Sequence, residues 1–255
     1  MNTPAGQPPR IYTAALVIIG DEILSGRTQD ANLAYLAKWL NVQGIRLRHV
    51  RVVPDVEAEI VSAVNACRTA HDYVFTTGGI GPTHDDITID SIAAAFGVPV
   101  VVHPRAEALL RAYYGDKLNE ARLRMARVPD GADLVENELS AAPGVRIGNV
   151  FIMAGIPSVM RAMLAALDGK LEGGLPVLSR TVAAHIAESR VAQLLESVEK
   201  THAGVQVGSY PFWKDGQTGA NFVIRSTDAH VMNAAAEAIL AGIAELGATP
   251  VDGEL

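Results

Sequence analysis

The segment Thr-Thr-Gly-Gly-Ile-Gly-Pro-Thr-His-Asp-Asp-Ile-Thr at residues 76–88 decides the fold prediction for this chain. It follows residues 73–75, a short apolar and aromatic run that predicts a buried strand. It precedes residues 87–96, whose apolar side chains recur at helical spacing. Three glycines therefore lie at a strand-to-helix turn, where backbone N–H groups remain free to hold an anionic oxygen. Glycine also lets a ligand approach the backbone closely.

Two adjacent carboxylates, Asp85 and Asp86, complicate a simple phosphate site in this loop. Beside a phosphate they would repel it unless a cation or a proton lay between them. Mg²⁺ typically binds through one or two carboxylates together with substrate phosphates. Alternatively, both aspartates cap the following helix, where negative charge is favourable. The residues alone leave both interpretations open.

The segments before this loop predict a parallel α/β sheet. Residues 12–19 form a β-branched, apolar run typical of a central strand, and residues 45–53 alternate basic and apolar side chains, as expected nearer a sheet edge. Between them, Asp30 and Asn32 open a predicted helix that ends at Gly44. The order strand, helix, strand, helix, strand indicates parallel strands with right-handed connections.

Acidic residues follow two of these predicted strands. Asp21 and Glu22 lie at the carboxyl end of the first strand, where ligands bind in open α/β sheets. This pair suits metal binding or the orientation of ligand hydroxyls, or else it forms a solvated turn. The segment is not a P-loop, because its glycine spacing is too long and Arg27 stands where lysine belongs. Asp55 follows the second strand and fits the N-cap of the next helix.

Composition excludes several classes of function. The chain has 255 residues, of which 49% are hydrophobic, and a formal net charge of -7, which argues against a nucleic-acid partner. The single cysteine, Cys67, excludes an intramolecular disulfide, and its apolar helical neighbours predict a buried thiol. Residues 1–10 predict a loose tail rather than a signal peptide. No apolar run approaches the length of a membrane span, so we expect a cytoplasmic protein.

A second, smaller region follows a linker-like segment at residues 171–176. Its patterns predict the order β-α-β-β-α, at residues 181–186, 188–200, 205–213, 220–226 and 230–246. The glycines of Gly216-Gln217-Thr218-Gly219 match the GxxG of a nucleic-acid module, but that module places them between helices. The aromatic residues Tyr210, Phe212 and Trp213 suit base or flavin stacking, although strand aromatics more often pack a core.

The loop at residues 76–88 resembles the signature of the molybdopterin-binding domain family, in the branch typified by CinA. That branch carries Thr-Gly-Gly-Leu-Gly-Pro-Thr followed by paired Asp and Thr, and here Ile80 replaces the leucine. Residues 137–144 and 153–157 resemble the second signature of the family. Three positions depart from the pattern, since Ser140 replaces a glycine, Ala154 a proline and Val159 a glutamate. A Cβ at Ser140 reduces the backbone approach that a ligand would need there.

The resemblance implies an α/β fold, a MoaB/Mog-like three-layer sandwich with a mostly parallel sheet and a small C-terminal α+β domain. We place the domains at residues 1–172 and 173–255. The resemblance also implies a homo-oligomer. The longer CinA proteins carry a C-terminal deamidase domain that has no counterpart in this sequence, so we do not expect nicotinamide-nucleotide deamidation.

The resemblance and the residues together suggest a set of site residues. We expect Asp86, Asp85 and Asp55 to act in catalysis, and Glu22, Asp85 and Asp86 to bind a divalent metal, Mg²⁺ or Co²⁺. Phosphate and substrate would contact residues of the two signatures and of the first strand-to-helix turn: Thr77, Gly78, Gly79, Gly81, Pro82, Thr83, Gly20, Ser25, Gly26, Asn32, Asn137, Pro143 and Gly144.

The family implies two activities for such a site. MogA and MoaB adenylylate molybdopterin, whereas CinA-type and FAD-synthase-type domains hydrolyse the pyrophosphate of ADP-ribose or FAD with a divalent metal. We favour the second, because the Asp85–Asp86 pair and the second region match the CinA branch. The partner is then a small phosphorylated ligand, a pterin or a dinucleotide, with no nucleic acid and no membrane. The alternative is a non-catalytic pterin- or nucleotide-binding protein.

Overall fold

The computed structural model describes residues 10–214 and 216–255, so residues 1–9 of the predicted tail lie outside the described part. The chain forms two compact units that divide between Gly174 and Leu175. The domain bounds expected from the sequence, residues 1–172 and 173–255, stay a prediction. Within the described ranges, no helix combines the length and apolar character needed to cross a membrane.

The first unit contains seven helices and eight strands in its described part. In chain order these are β1 (Tyr12–Ile19), α1 (Asp21–Leu24), α2 (Asn32–Val42), β2 (Ile45–Val53), α3 (Glu57–Ala70), β3 (Tyr73–Thr77), α4 (Thr88–Phe96), β4 (Val100–Val102), α5 (Pro104–Tyr114), α6 (Glu120–Leu123), β5 (Arg127–Pro129), β6 (Asp133–Val135), β7 (Gly144–Ile147), β8 (Val150–Met153) and α7 (Pro157–Ala165). Short 3₁₀ turns, Gly115–Lys117 and Arg124–Ala126, flank α6.

A six-stranded sheet with the order β2-β1-β3-β8-β7-β6 forms the centre of this unit. Strands β2, β1, β3 and β8 are parallel, and β7 and β6 add antiparallel pairing at one side. The predicted mostly parallel sheet is therefore confirmed, with β2 at an edge as its alternating pattern indicated. The sequence patterns missed β6, β7 and β8, because each has only three or four residues and lacks a periodic signal.

Helices cover both faces of the sheet and make the three layers that the resemblance implied. Alternate residues of β1 point to opposite faces, which explains why the whole strand is apolar. On one face, α2 and α7 enclose a core in which the rings of Phe75 and Phe151 stack at 5.1 Å between centroids. On the other face, α3 and α4 enclose a second core that includes Cys67, which is buried as predicted.

Two helix starts differ from the expectation. The N-cap of α3 is Val56 rather than Asp55, and the N-cap of α4 is Ile87 rather than either aspartate of the pair. Neither N-cap makes a side-chain cap hydrogen bond. The turn after β1 also differs, because it contains the four-residue helix α1. The capping role predicted for Asp55 is therefore wrong, and so is the capping alternative that the sequence left open for Asp85 and Asp86.

The second unit is an antiparallel sheet covered on one face by two helices. It consists of β9 (Leu178–Ala184), α8 (Glu188–Thr201), β10 (Gln206–Lys214), β11 (Gln217–Ser226), α9 (Ala229–Glu245) and β12 (Pro250–Asp252), with the sheet order β10-β11-β9-β12. The predicted β-α-β-β-α order is confirmed, and β12 is an addition. The guanidinium of Arg180 in β9 holds β12 through Asp252, with Nη2 at 2.8 Å from Oδ2, and also pairs with Glu237 of α9.

We predict that Phe75→Ala strongly destabilises the first unit. The substitution leaves a cavity against Phe151 and Trp39, whose rings contact Phe75, and such a loss lowers the free energy of unfolding by about 3–5 kcal/mol. Val42→Ala is the matched control, because Val42 is 72% exposed and should change stability by less than about 0.5 kcal/mol. Urea denaturation followed by circular dichroism measures both. Similar unfolding midpoints for the two variants would contradict this packing.

Candidate functional site

The carboxyl ends of three adjacent parallel strands, β1, β3 and β8, meet at one point of the first unit. Gly78, directly after β3, has φ of 100°, and a Cβ there would lie 2.1 Å from the carbonyl oxygen of Ile19. A Cβ on Gly155, which follows β8, would lie 3.3 Å from the Cα of Gly78. Only glycine at position 78 combines this dihedral angle with this approach. The strand ends therefore form a single compact edge.

A cleft opens at this edge. Its lining includes Glu22, Asp30, Asn32, Thr77, Gly78 and Gly155, and we call it the acidic cleft. Asn32 is buried, and its Nδ2 donates to the carbonyl oxygen of Gly155 at 2.8 Å, which ties the start of α2 to the end of β8. Thr28 and Gln29 also line the cleft, although no sequence signal pointed to them. Both charged side chains of the described lining are acidic.

Further carboxylates lie beside the acidic cleft. Asp55 does not cap α3; its Oδ2 accepts a hydrogen bond from the backbone N–H of Asp21 at 3.1 Å. Partial burial raises the pKa of Asp55 above its usual value, and the negative charges of Asp21, Glu22 and Asp85 raise it further. The structure thus brings the predicted acids Glu22, Asp55 and Asp85 into one electrostatic neighbourhood.

Asp86 organises the glycine loop from within. Its carboxylate accepts hydrogen bonds from the backbone N–H of Gly81 at 2.7 Å, the backbone N–H of Thr83 at 2.8 Å and the hydroxyl of Thr83. The N–H of Gly78 donates to Met153. Two of the three glycine amides that were predicted to bind phosphate therefore have partners inside the protein. In the described chain, the amides of Gly79 and Ile80 make no such bond.

A second, narrow pocket lies on the α4 side of the loop. The residues that set its charge and its hydrogen bonding come from the loop, from α4, from the 3₁₀ turn before β5 and from the start of β5, and we call it the arginine pocket. These residues are Gly79, Ile80, Gly81, Asp86, Asp90, Arg124 and Arg127. Arg127 pairs with Asp90. Neither arginine was a predicted site residue, because both lie about 40 positions beyond the loop in the sequence and only the fold brings them near it.

The residues of the second signature lie around a third pocket, which shares Pro143 with the arginine pocket. Asn137 closes its own loop: Nδ2 donates to Ser140 Oγ at 2.7 Å and to the carbonyl oxygen of Ala142 at 2.9 Å, while Oδ1 accepts from the N–H of Leu139 at 3.1 Å. Gly144 is buried in β7, where an added Cβ would lie 3.1 Å from Met163 Sδ. Both predicted ligand contacts therefore have structural roles.

The remaining predicted residues take different places. Ser25 and Gly26 form the turn after α1 and lie outside the described pocket linings, as do Gly20, Pro82 and Thr83. The three predicted metal ligands do not form a metal site: across residues 10–214 and 216–255, no group of three or more His, Cys, Asp or Glu side chains is placed to hold an ion. Of the expected metal ligands Glu22, Asp85 and Asp86, the last turns its carboxylate into its own loop.

Comparison with known proteins gives matches to both units. The model of the probable molybdopterin binding domain matches residues 15–171, and that of the FAD synthase middle domain matches residues 176–252. A protein of Aeropyrum pernix is 35% identical over 210 residues, covering 78% of each chain. A protein of Thermococcus kodakarensis is 34% identical over 218 residues, covering 79% of this chain and 87% of its own.

Among solved structures, the chain resembles the protein CinA, of unknown function, from Thermoplasma acidophilum. The two share 33% sequence identity with a TM-score of 0.59, over 63% of this chain and 98% of that one. The covered share is about the size of the first unit, and the resemblance therefore supports the three-layer arrangement described above.

We predict that Asp55→Asn stabilises the protein at neutral pH. Because the folded state raises the pKa of Asp55, its ionised form opposes folding above that pKa, and the penalty vanishes as the pH falls below the pKa of the unfolded chain, about 3.9. Solvent screening limits the gain to about 1 kcal/mol or less, a rise in melting temperature of about 2–4 °C at pH 7.

Thermal unfolding at pH 7 and pH 3.5 measures this effect. The exposed residue Asp116 provides the matched control, and Asp116→Asn should leave the melting temperature unchanged at both pH values. A destabilising Asp55→Asn at pH 7 would show that the hydrogen bond to the Asp21 amide outweighs the burial of charge.

Proposed function

The chain belongs to the probable molybdopterin-binding domain family, and from that premise we propose that it binds a small phosphorylated ligand at the carboxyl edge of its first sheet. The ligand is a phosphorylated pterin or a dinucleotide diphosphate. The observation that carries the proposal is the convergence of β1, β3 and β8, which places Glu22, Asn32, Thr77 and Gly78 around one cleft. Ligands of open α/β sheets bind at this place.

The chemistry of the two pockets fits a ligand with one polar, hydroxyl-rich part and one anionic part. Carboxylates such as Glu22 accept hydrogen bonds from sugar hydroxyls or from the N–H groups of a pterin. The unpaired amides of Gly79 and Ile80 donate, and so suit a phosphate oxygen. These groups lie on a loop that Asp86 and Thr88 already hold in place, since Thr88 Oγ1 donates to the carbonyl oxygen of Gly78 at 2.9 Å. Little ordering is then required on binding.

The residues present do not fit a divalent metal held by the protein alone. Such an ion would need several oxygen ligands, whereas the carboxylate of Asp86 already accepts three hydrogen bonds and no three-ligand group exists in the described chain. We therefore derive binding from the amides and side chains of this chain, and assign no step to a metal.

A second candidate function is hydrolysis of the pyrophosphate of ADP-ribose or FAD. Two observations favour it: the second unit matches the FAD synthase middle domain, and Asp55 combines a raised pKa with three neighbouring carboxylates. A carboxylate with a raised pKa suits the general base that removes a proton from an attacking water. In this candidate, Asp55 activates the water, and the amides of Gly79 and Ile80 stabilise the negative charge on the phosphoryl oxygens.

Binding is tested by calorimetric titration of the full chain with ADP-ribose, FAD and a pterin pyrophosphate in the presence of EDTA. We expect at least one of them to bind, and Glu22→Gln to weaken that binding about tenfold, because hydrogen bonds to a charged acceptor contribute about 1.5–3 kcal/mol. The matched control is Glu57→Gln on α3, which is exposed and should leave the affinity unchanged. The absence of binding for all three ligands would refute the proposal.

Hydrolysis is tested by incubating ADP-ribose and FAD with Mg²⁺ or Co²⁺ and following the release of AMP. If the second candidate is correct, Asp55→Asn lowers kcat by about 100-fold or more, as expected for a general base, while the dissociation constant changes little. Wild-type protein that binds a ligand without turning it over rejects the second candidate and leaves the binding function intact.

A further inference from the structure

The two pockets beside the glycine loop carry different charge. The described lining of the acidic cleft contains Glu22 and Asp30 as its charged groups. Asp21 precedes Glu22 in the chain, and its amide holds the carboxylate of Asp55 close by through a hydrogen bond of 3.1 Å. A phosphate in that cleft would face several carboxylates and no cation among the lining residues. The Coulomb repulsion between a phosphate and these carboxylates is large in a partly desolvated site.

The arginine pocket is the only one of these two that offers cations in its described lining. It contains Asp86, Asp90, Arg124 and Arg127. The two acids are already satisfied, since Asp86 accepts three hydrogen bonds within its loop and Asp90 pairs with Arg127. Within the described residues, the guanidinium of Arg124 has neither an ion pair nor a hydrogen bond, and the backbone amides of Gly79 and Ile80 are also unpaired.

We propose that Arg124, together with the amides of Gly79 and Ile80, forms the phosphate subsite of this protein and sets the orientation of its ligand. The inference rests on the proposed binding function and deepens it. The anionic end of the ligand lies in the arginine pocket, and the hydroxyl-rich or ring end lies across the loop in the acidic cleft. The ligand class is therefore a phosphate ester with an uncharged polar portion.

The geometry of the loop permits one ligand to reach both pockets. Gly78 lines the acidic cleft and Gly79 lines the arginine pocket, and consecutive Cα atoms are about 3.8 Å apart. Arginine suits the phosphate end, because its planar guanidinium donates two parallel hydrogen bonds to phosphate oxygens.

The surroundings of Arg124 indicate that its side chain is not needed for the fold. Arg124 lies in the 3₁₀ turn Arg124–Ala126, whose backbone is held independently through Ala126, since His103 N–H donates to the Ala126 carbonyl oxygen at 2.9 Å. Removing the guanidinium breaks no hydrogen bond in the described chain. The variant Arg124→Ala should therefore fold as the wild type does, with a melting temperature within about 2 °C.

The test compares Arg124→Ala and Arg124→Lys with Arg111→Ala, an exposed arginine of α5 that pairs with Glu107. Calorimetry in EDTA measures three affinities. The first is for the phosphorylated ligand that the wild type binds, the second for its phosphate-free counterpart (adenosine, riboflavin or the hydroxymethylpterin), and the third for inorganic pyrophosphate. We expect Arg124→Ala to weaken the binding of the phosphorylated ligand and of pyrophosphate at least tenfold, consistent with loss of a charged hydrogen bond. The affinity of Arg124→Ala for the phosphate-free compound should equal that of the wild type. Arg111→Ala should bind all of these compounds with wild-type affinity.

The outcomes separate this inference from the proposed function. If the wild type binds a ligand and Arg124→Ala binds it within twofold, the phosphate subsite is overturned while the binding function stands. If the wild type binds none of the ligands, the proposed function fails first. Phosphate binding that requires Mg²⁺ and ignores Arg124 would place the anion in the acidic cleft and would also overturn the inference. Partial recovery in Arg124→Lys supports it, because lysine restores the charge without the planar donor pair.

Discussion

The close approach of Gly78 to the carbonyl oxygen of Ile19 is the constraint on which the site depends. Glycine lets two backbones approach this closely, because it has no side chain to separate them. Gly78 and Gly155 provide this approach, and Asn32 then holds the edge by donating to the carbonyl oxygen of Gly155. The acidic cleft and the arginine pocket both follow from this junction, because the loop that leaves β3 at Gly78 divides the space above the sheet into two.

The second determinant is the direction of one carboxylate. By turning into its own loop, Asp86 occupies the Gly81 amide and the two donors of Thr83. This arrangement fixes the loop before any ligand binds, and it leaves Gly79 and Ile80 as the amides that face the arginine pocket. The same carboxylate cannot at once serve freely as a metal ligand. A residue that looks catalytic in the sequence is thus used to preorganise its neighbours.

The sequence predicted the scaffold better than the site, and the reason is physical. The bounds of β1 match the apolar run at residues 12–19, since a strand buried on both faces must be apolar throughout. Local patterns cannot show which donor a carboxylate binds, so a cap was predicted for Asp55 although it accepts a hydrogen bond from the Asp21 amide. Local patterns also cannot show that Arg124 lies near Gly79, because that proximity arises only when β5 and α4 pack together. The predicted roles of Glu22, Asp85 and the glycines in binding stay predictions.

The outermost position of β2 has a consequence for association between copies of the chain. Its nine residues leave one row of backbone groups without a neighbouring strand in the sheet of the first unit, an arrangement that in other proteins invites strand addition and fibril growth. Arg46, Arg48 and Arg51 lie along this strand. A second copy aligned there would meet its own positive charges, and like charges placed opposite one another weaken strand pairing. Strand addition at β2 is thereby disfavoured.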